Sequence, residues 1–150
     1  VNAVRLQLQD SFGLQGYLRL RIKRRGQVIE EWEERNIVVD IPRDEIARCF
    51  VEGGSIMPVT HVAVGTNDLP PSRSDTQITN AFVKPILAAS RPTPTSVQFD
   101  FVILPSDANG LRITEIGLLR SDGKLFARRT RGAIEKDSDL EIEGEWVILV

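Results

Sequence analysis

Apolar and polar residues alternate with a period of two over much of this chain, the spacing that puts one face of a strand in a core and the other in water. In "GYLRLRIK", residues 16–23, Leu18, Leu20 and Ile22 alternate with Arg19, Arg21 and Lys23. "RRG" at 24–26 can turn the chain, and "QVIEEWEE" follows with Val28, Ile29 and Trp32 among Glu30, Glu31, Glu33 and Glu34. A hairpin here sets a basic strand beside an acidic one. The clearest alternation closes the sequence: Leu140, Ile142, Gly144, Trp146, Ile148 and Val150 share one parity, and Glu141, Glu143 and Glu145 take the other. That strand must bury one face, and it is expected to close a sheet or add to a neighbour's.

The period changes once. Pro42 suits a first helical turn, and Asp44 and Glu45 suit its positive end. Ile46, Ala47, Phe50 and Val51 form an apolar stripe before Gly53 and Gly54 stop the helix, which is expected near residues 43–52. After residue 58 strands return. "THVAVGT" reads as a short buried strand, and "NAFVKPILAAS" as an irregular or edge strand because Pro85 cannot donate to a central ladder. "SVQFDFVIL", "LRITEIGLLR" and "LFARRT", separated by the turn-forming "PSDANG" and "SDGK", predict a three-stranded meander over residues 96–129. Gly123 lies in the second of these turns. The expected fold is therefore mainly β, an antiparallel β-sandwich, jelly-roll-like or similar, with one short helix. A length of 150 residues suits a single β-rich domain, with residues 1–14 as an arm or edge strand.

Nineteen basic and 21 acidic residues give a net charge of −2, which supplies no global field to gather nucleic acid or anionic lipid. Neither a charged leader followed by an apolar block nor a long apolar run is present, so membrane insertion is not expected. One cysteine, Cys49, allows no internal disulfide and no cysteine-cluster metal site. It sits beside the helical stripe without a basic activator and reads as a packed thiol.

Candidate chemistry gathers around "HVAVGTNDLPPSRSDTQI", residues 61–78. A phosphate loop needs a second glycine followed by lysine and Ser/Thr, and Gly65 stands by itself. A hydrolytic triad would have to combine His61, the single histidine, with Ser72 or Ser74 and Asp68 or Asp75, without a G-x-S-x-G elbow. The favoured reading is that Gly65 lets the strand turn, Pro70 and Pro71 stiffen the excursion, and Asp75 starts the next element through local side-chain-to-backbone bonds. Alternating glutamates match solvated strand faces and lack the spacing of an EF-hand. No catalytic residue, cofactor or metal is assigned. Arg128, Arg129, Arg131 and Lys136 form the densest basic stretch of the second half, placed on a loop; contact with a neighbouring subunit is favoured over nucleic acid because few aromatics are available for base stacking. Glu115 lies among apolar residues in "TEIGL" and needs Arg112, Arg128 or backbone N–H groups as partners.

Three segments in order, "VAVGTNDLPPSRSDTQI", "ITEIGLLRSDGKLFARR" and "LEIEGEWVILV", resemble a pattern in structural proteins of tailed bacteriophages, of the tail-fibre, baseplate and collar type. The resemblance covers residues 60–150 and, more loosely, a "G-x-V-I-x-x-W-x-x-x-N" hairpin before them. It implies a non-enzymatic virion component, made in the bacterial host cytoplasm, that forms a homo-oligomer and contacts other virion proteins. On that basis Arg19, Arg21, Asp68, Pro70, Arg73, Arg128, Arg129 and Arg131 are the candidate interface residues, and Gly65, Glu115, Gly123 and Trp146 the structural ones. A capsid decoration protein is the alternative within the same class, and a small glycan-binding or hydrolytic module using residues 61–76 is the alternative outside it.

Overall fold

The computed structural model describes residues 13–150. Nine strands and one helix follow in the order β1 (Gln15–Arg24), β2 (Gln27–Val38), α1 (Asp40–Glu52), β3 (Val59–Gly65), β4 (Phe82–Pro85), β5 (Ala88–Thr93), β6 (Ser96–Ile103), β7 (Arg112–Arg120), β8 (Leu125–Glu135) and β9 (Leu140–Leu149). The arm or edge strand anticipated over residues 1–14 lies, but for Gly13 and Leu14, outside the described residues.

The chain is mainly β, as its alternation predicts. Hydrogen bonds link the strands edge to edge in one antiparallel sheet, β4-β3-β7-β8-β2-β1-β9-β6-β5, curled into a half-barrel. Two features bend it. Strand β2 pairs with β1 over most of its length and then passes its last two residues, Ile37 and Val38, to β8. At the far side, the two outermost strands are joined by only Ile86 and Leu87. Ile86 donates its N–H to the Thr60 carbonyl at 3.0 Å and Leu87 donates to that of Asp100 at 2.7 Å, so the chain steps directly from one end of the sheet to the other. The concave face encloses one core, to which Leu18, Leu20, Phe101, Ile142 and Trp146 come from one half and Val62, Val64, Ile116 and Leu118 from the other.

The β1–β2 hairpin forms as its charge pattern predicts, with Arg19 opposite Glu33 and Arg21 opposite Glu31. Its two-residue turn holds Arg25 at φ 50° and Gly26 at φ 81°, the left-handed pair whose twist suits a tight hairpin. Only half of the anticipated meander exists. β7 and β8 form a hairpin around Gly123, at φ 84°, but β6 pairs with β5 and β9 and never with β7. Residues 104–111 therefore cross between the two halves. They are held by Lys136, a buried ammonium that donates to the Pro105 and Asp137 carbonyls and to Asn109 Oδ1, and by a 2.6 Å Lys84–Asp107 ion pair. β9 is an interior strand, between β1 and β6, not a closing or donated one. Gly144 in it gives Phe101 its place: a Cβ there would sit 2.0 Å from the ring. Trp146 is fully buried and donates Nε1–H to Asn36 Oδ1 at 2.8 Å.

Helix α1 forms where Pro42 and the terminal glycines place it, but presents the opposite face from the one its apolar stripe suggests. Pro42 and Glu45 are buried and Cys49 is half-buried, whereas Ala47 is exposed and Phe50 and Val51 are each 87% exposed. An ion pair decides this. Glu45 accepts Nη1–H of Arg120 at 2.5 Å and the Met57 N–H at 2.6 Å, so its face turns toward the β7–β8 hairpin and the apolar stripe toward water.

Candidate functional site

Residues 66–80 leave β3 at Gly65, where a side chain would collide with the Thr79 carbonyl at 2.4 Å. Gly65 thus lets the two ends of the loop close on each other, and Thr66 N–H bonds to Thr79 O at 3.1 Å. Underneath lies Glu115, fully buried on β7. Its carboxylate accepts the backbone N–H groups of Asn67 (2.7 Å) and Thr79 (3.2 Å) and lies 3.6 Å from Arg128 Nη2. Of the partners anticipated for Glu115, Arg128 and the backbone are the ones used, and Arg112 pairs with Glu135 instead.

Arg128 completes the anchor. It donates to Asp75 Oδ2 at 2.8 Å and to the carbonyls of Asn67 and Leu69 at 3.2 and 3.0 Å. Asp75 also accepts Ser72 N–H, so its local bond closes the turn at residues 72–75 and does not start an element, the next strand beginning at Phe82. At the loop's outer end, Arg73 and Asp40 bond twice, side chain to side chain at 2.9 Å and Asp40 N–H to Arg73 O at 2.8 Å, which ties the loop to the start of α1. A buried ion pair, several backbone bonds and the helix tie hold this excursion as a fixed projection.

The expected interface residues divide sharply. Arg128, Arg129 and Arg131 lie on β8, not on a loop, and their charges are used inside the chain. Arg128 is 1% exposed and so does not reach the surface. Arg131 pairs with Glu30 of β2 at 2.7 Å and stacks over Trp32, and Arg129 donates to the Arg35 and Thr130 carbonyls. For Arg131 the acidic strand expected of another subunit is the same molecule's β2, whereas Arg128 takes carboxylates of the 66–80 loop and of β7 and Arg129 takes backbone carbonyls. Lys136, likewise, is a buried loop anchor. By contrast Asp68, Pro70 and Arg73 remain exposed on the loop. Arg19 and Arg21 remain exposed on the outer sheet face, each between two glutamates: Arg19 with Glu33 and Glu145, both at 3.4 Å, and Arg21 with Glu31 and Glu143 at 3.5 and 4.0 Å. Three strands thus form an acid–base–acid ladder, each pair of which contributes on the order of 0.2–1 kcal/mol.

Of the residues of the hydrolytic alternative, His61 makes no hydrogen bond to the serines or aspartates. His61 Nδ1 bonds Thr60 Oγ1 at 2.7 Å, while Ser72 Oγ bonds Ser74 Oγ at 3.0 Å. Among the described residues no group of three or more His, Cys, Asp or Glu side chains is arranged to hold a metal ion, and no helix is long and apolar enough to cross a membrane.

A second buried ion cluster tightens the helix corner. Arg120 grips Asp122 with two bonds, Nε to Oδ1 at 3.2 Å and Nη2 to Oδ2 at 2.6 Å, and reaches Glu45 with its remaining nitrogen. The Arg120 hydrogen bonds, with the Lys124 N–H, hold the Asp122 carboxyl down at about 2.

Two apolar surfaces emerge that sequence reasoning did not single out as sites. One is the outward face of α1, where Ile46, Ala47, Phe50 and Val51 continue onto Leu14. The other is a groove of about 510 Å³ where the chain crosses from β4 to β5, floored by Pro85, Ile86, Leu87, Val102 and Leu104, with Lys84, Glu141 and Glu143 on its rim. The stripe on α1 was visible in the sequence but read as core. The groove was not legible, because its residues come from three strands and a crossing whose neighbours the alternation does not specify. No protein-family model, curated protein or solved structure matches this chain.

Proposed function

We propose that this protein is a non-enzymatic structural component of a tailed bacteriophage particle, assembling at the tail, collar or baseplate through contacts with copies of itself and with other virion proteins. The observation that carries the assembly reading is the outward apolar face of α1, with Phe50 and Val51 each 87% exposed. Large exposed apolar residues clustered on one face mark protein contact surfaces, since a soluble chain gains nothing by showing them to water. The phage assignment rests on the ordered motifs of residues 62–78, 113–129 and 140–150. The structure gives each a mechanical use: a fixed loop, the hairpin that anchors it through Glu115 and Arg128, and the interior strand that carries Trp146. The two-sheet sandwich anticipated from the sequence is proposed in the looser sense that the two halves of the curled sheet face each other across one core.

The projecting residues Asp68, Pro70 and Arg73 are the loop's offering to a neighbouring protein. Their rigidity suits that use, because a pre-ordered contact loses less conformational entropy on binding. Antibodies raised against the chain test the assignment: they should label purified particles at the tail, collar or baseplate. Label over the capsid surface would favour the decoration reading, and unlabelled particles from an infection that expresses the chain would contradict both.

A further inference from the structure

We infer that copies of this chain associate head to tail, the apolar face of α1 on one copy seating in the β4–β5 groove of the next. The inference rests on the assembly reading above and supplies its contact. Topology sets the relation between the two surfaces. β2, which leads into α1, is the middle strand of the nine, whereas β4 and β5 are the outermost two, joined by Ile86 and Leu87. The helix face and the groove are thus built from different segments and share no residue. Contact between two different patches is heterologous and continues from copy to copy until it closes a ring or runs on as a filament.

The chemistry of the two surfaces matches. α1 offers Phe50 and Val51, standing clear of the fold, and the groove offers Leu87, 73% exposed, beside Leu104 and Val102. An aromatic anchor entering an apolar cleft is the arrangement that dominates protein contacts. Charges agree too. Among the described residues Arg48, one turn before Val51, is held only by an exposed pair with Asp44 within its own helix, the kind of pair that contributes little and exchanges partners readily. On the groove rim Glu143 is engaged by Lys23, but Glu141 has no ion-pair partner among the described residues. Arg48 of one copy facing Glu141 of the next gives both a partner and fixes the direction of docking.

Two surface variants test this. Phe50→Glu spoils the helix face and leaves the groove intact; Leu87→Glu does the reverse. Both sites lie outside the core, and circular dichroism melts matching the parent establish that the variants fold. Analytical ultracentrifugation of the parent chain should show species larger than a dimer, and each variant by itself should be monomeric. Mixed in equal amounts, the variants should form a dimer and nothing larger, because only one intact contact can be made between them. A parent chain that stays monomeric at high micromolar concentration overturns the inference, as does a Leu87→Glu variant that associates like the parent, which would assign the contact to α1 against α1. A chain lacking residues 1–12 that associates when the full chain does not would assign the helix face to that segment and overturn it equally. Particle labelling is independent of all these outcomes, so the contact and the virion assignment fail separately.

Discussion

Glu115 and Arg128 lie 3.6 Å apart on neighbouring strands with 0% and 1% of their side chains exposed, and both direct their other hydrogen bonds to the same loop. The pair is the foundation of the projection at residues 66–80. Charges so deeply buried stabilise only while every partner is present, because each isolated ion pays a large desolvation cost.

Replacing Glu115 with Gln should therefore cost on the order of 1–3 kcal/mol, since the amide cannot accept both loop N–H groups as the carboxylate does while Arg128 keeps Asp75. In an Arg128→Met background the same change should cost markedly less, the non-additivity expected of partners in one network. Urea unfolding of the four proteins gives the cycle. Limited proteolysis should find new cleavage within residues 66–80 of Glu115→Gln first.

Packing in the sheet makes a second expectation. Gly144 faces Phe101 across the β6–β9 ladder, and Gly144→Ala would drive a methyl into the ring. Overpacking of this kind costs on the order of 1–3 kcal/mol. Adding Phe101→Leu should recover part of the loss, even though Phe101→Leu by itself destabilises. Thermal melts of the two single variants and the double variant check the sign of that coupling.

Acid should weaken the helix corner. Asp122 titrates at about 2 in the folded chain, chiefly through its Arg120 hydrogen bonds, against about 3.9 for an unperturbed aspartate. A depressed carboxyl contributes its full stability above the unfolded value and loses it as pH falls toward the folded one. The difference in melting temperature between the parent and Asp122→Asn should be constant near neutrality and shrink between pH of about 4 and about 2. A difference that holds constant across that window would remove Asp122 from the account.

The acid–base–acid ladder should behave as a surface feature. Arg19→Ala and Arg21→Ala should each destabilise by less than about 1 kcal/mol, and raising salt should shrink even that. Large losses would mean that these arginines hold the fold and not merely its register.

Much of this fold was legible in the sequence. Parity found the buried faces of β1 and β9, and opposite charge found the β1–β2 hairpin, because both signals are local. What parity cannot state is which strand lies alongside. Nothing in "SVQFDFVIL" distinguishes β9 from β7 as its neighbour, so the meander was drawn too long and the curled single sheet was missed. The same limit governs the site. Glu115 announced itself as a carboxylate among apolar residues. Arg128, in an arginine-rich run, gave no sign that it would be buried and its neighbours satisfied from β2. On α1, a buried Glu45–Arg120 pair outweighed the apolar stripe in choosing the inner face, a decision made by a residue 75 positions away.

On the proposed function, other proteins cover this chain above all on the outward face of α1. A high-resolution electron-microscopy map of an intact particle of the proposed kind is the sharpest check. Density for this chain is expected in the tail, collar or baseplate, with Phe50 and Val51 covered by a neighbouring subunit. Particles without the chain, or a chain in place whose helix face looks into solvent, would contradict it.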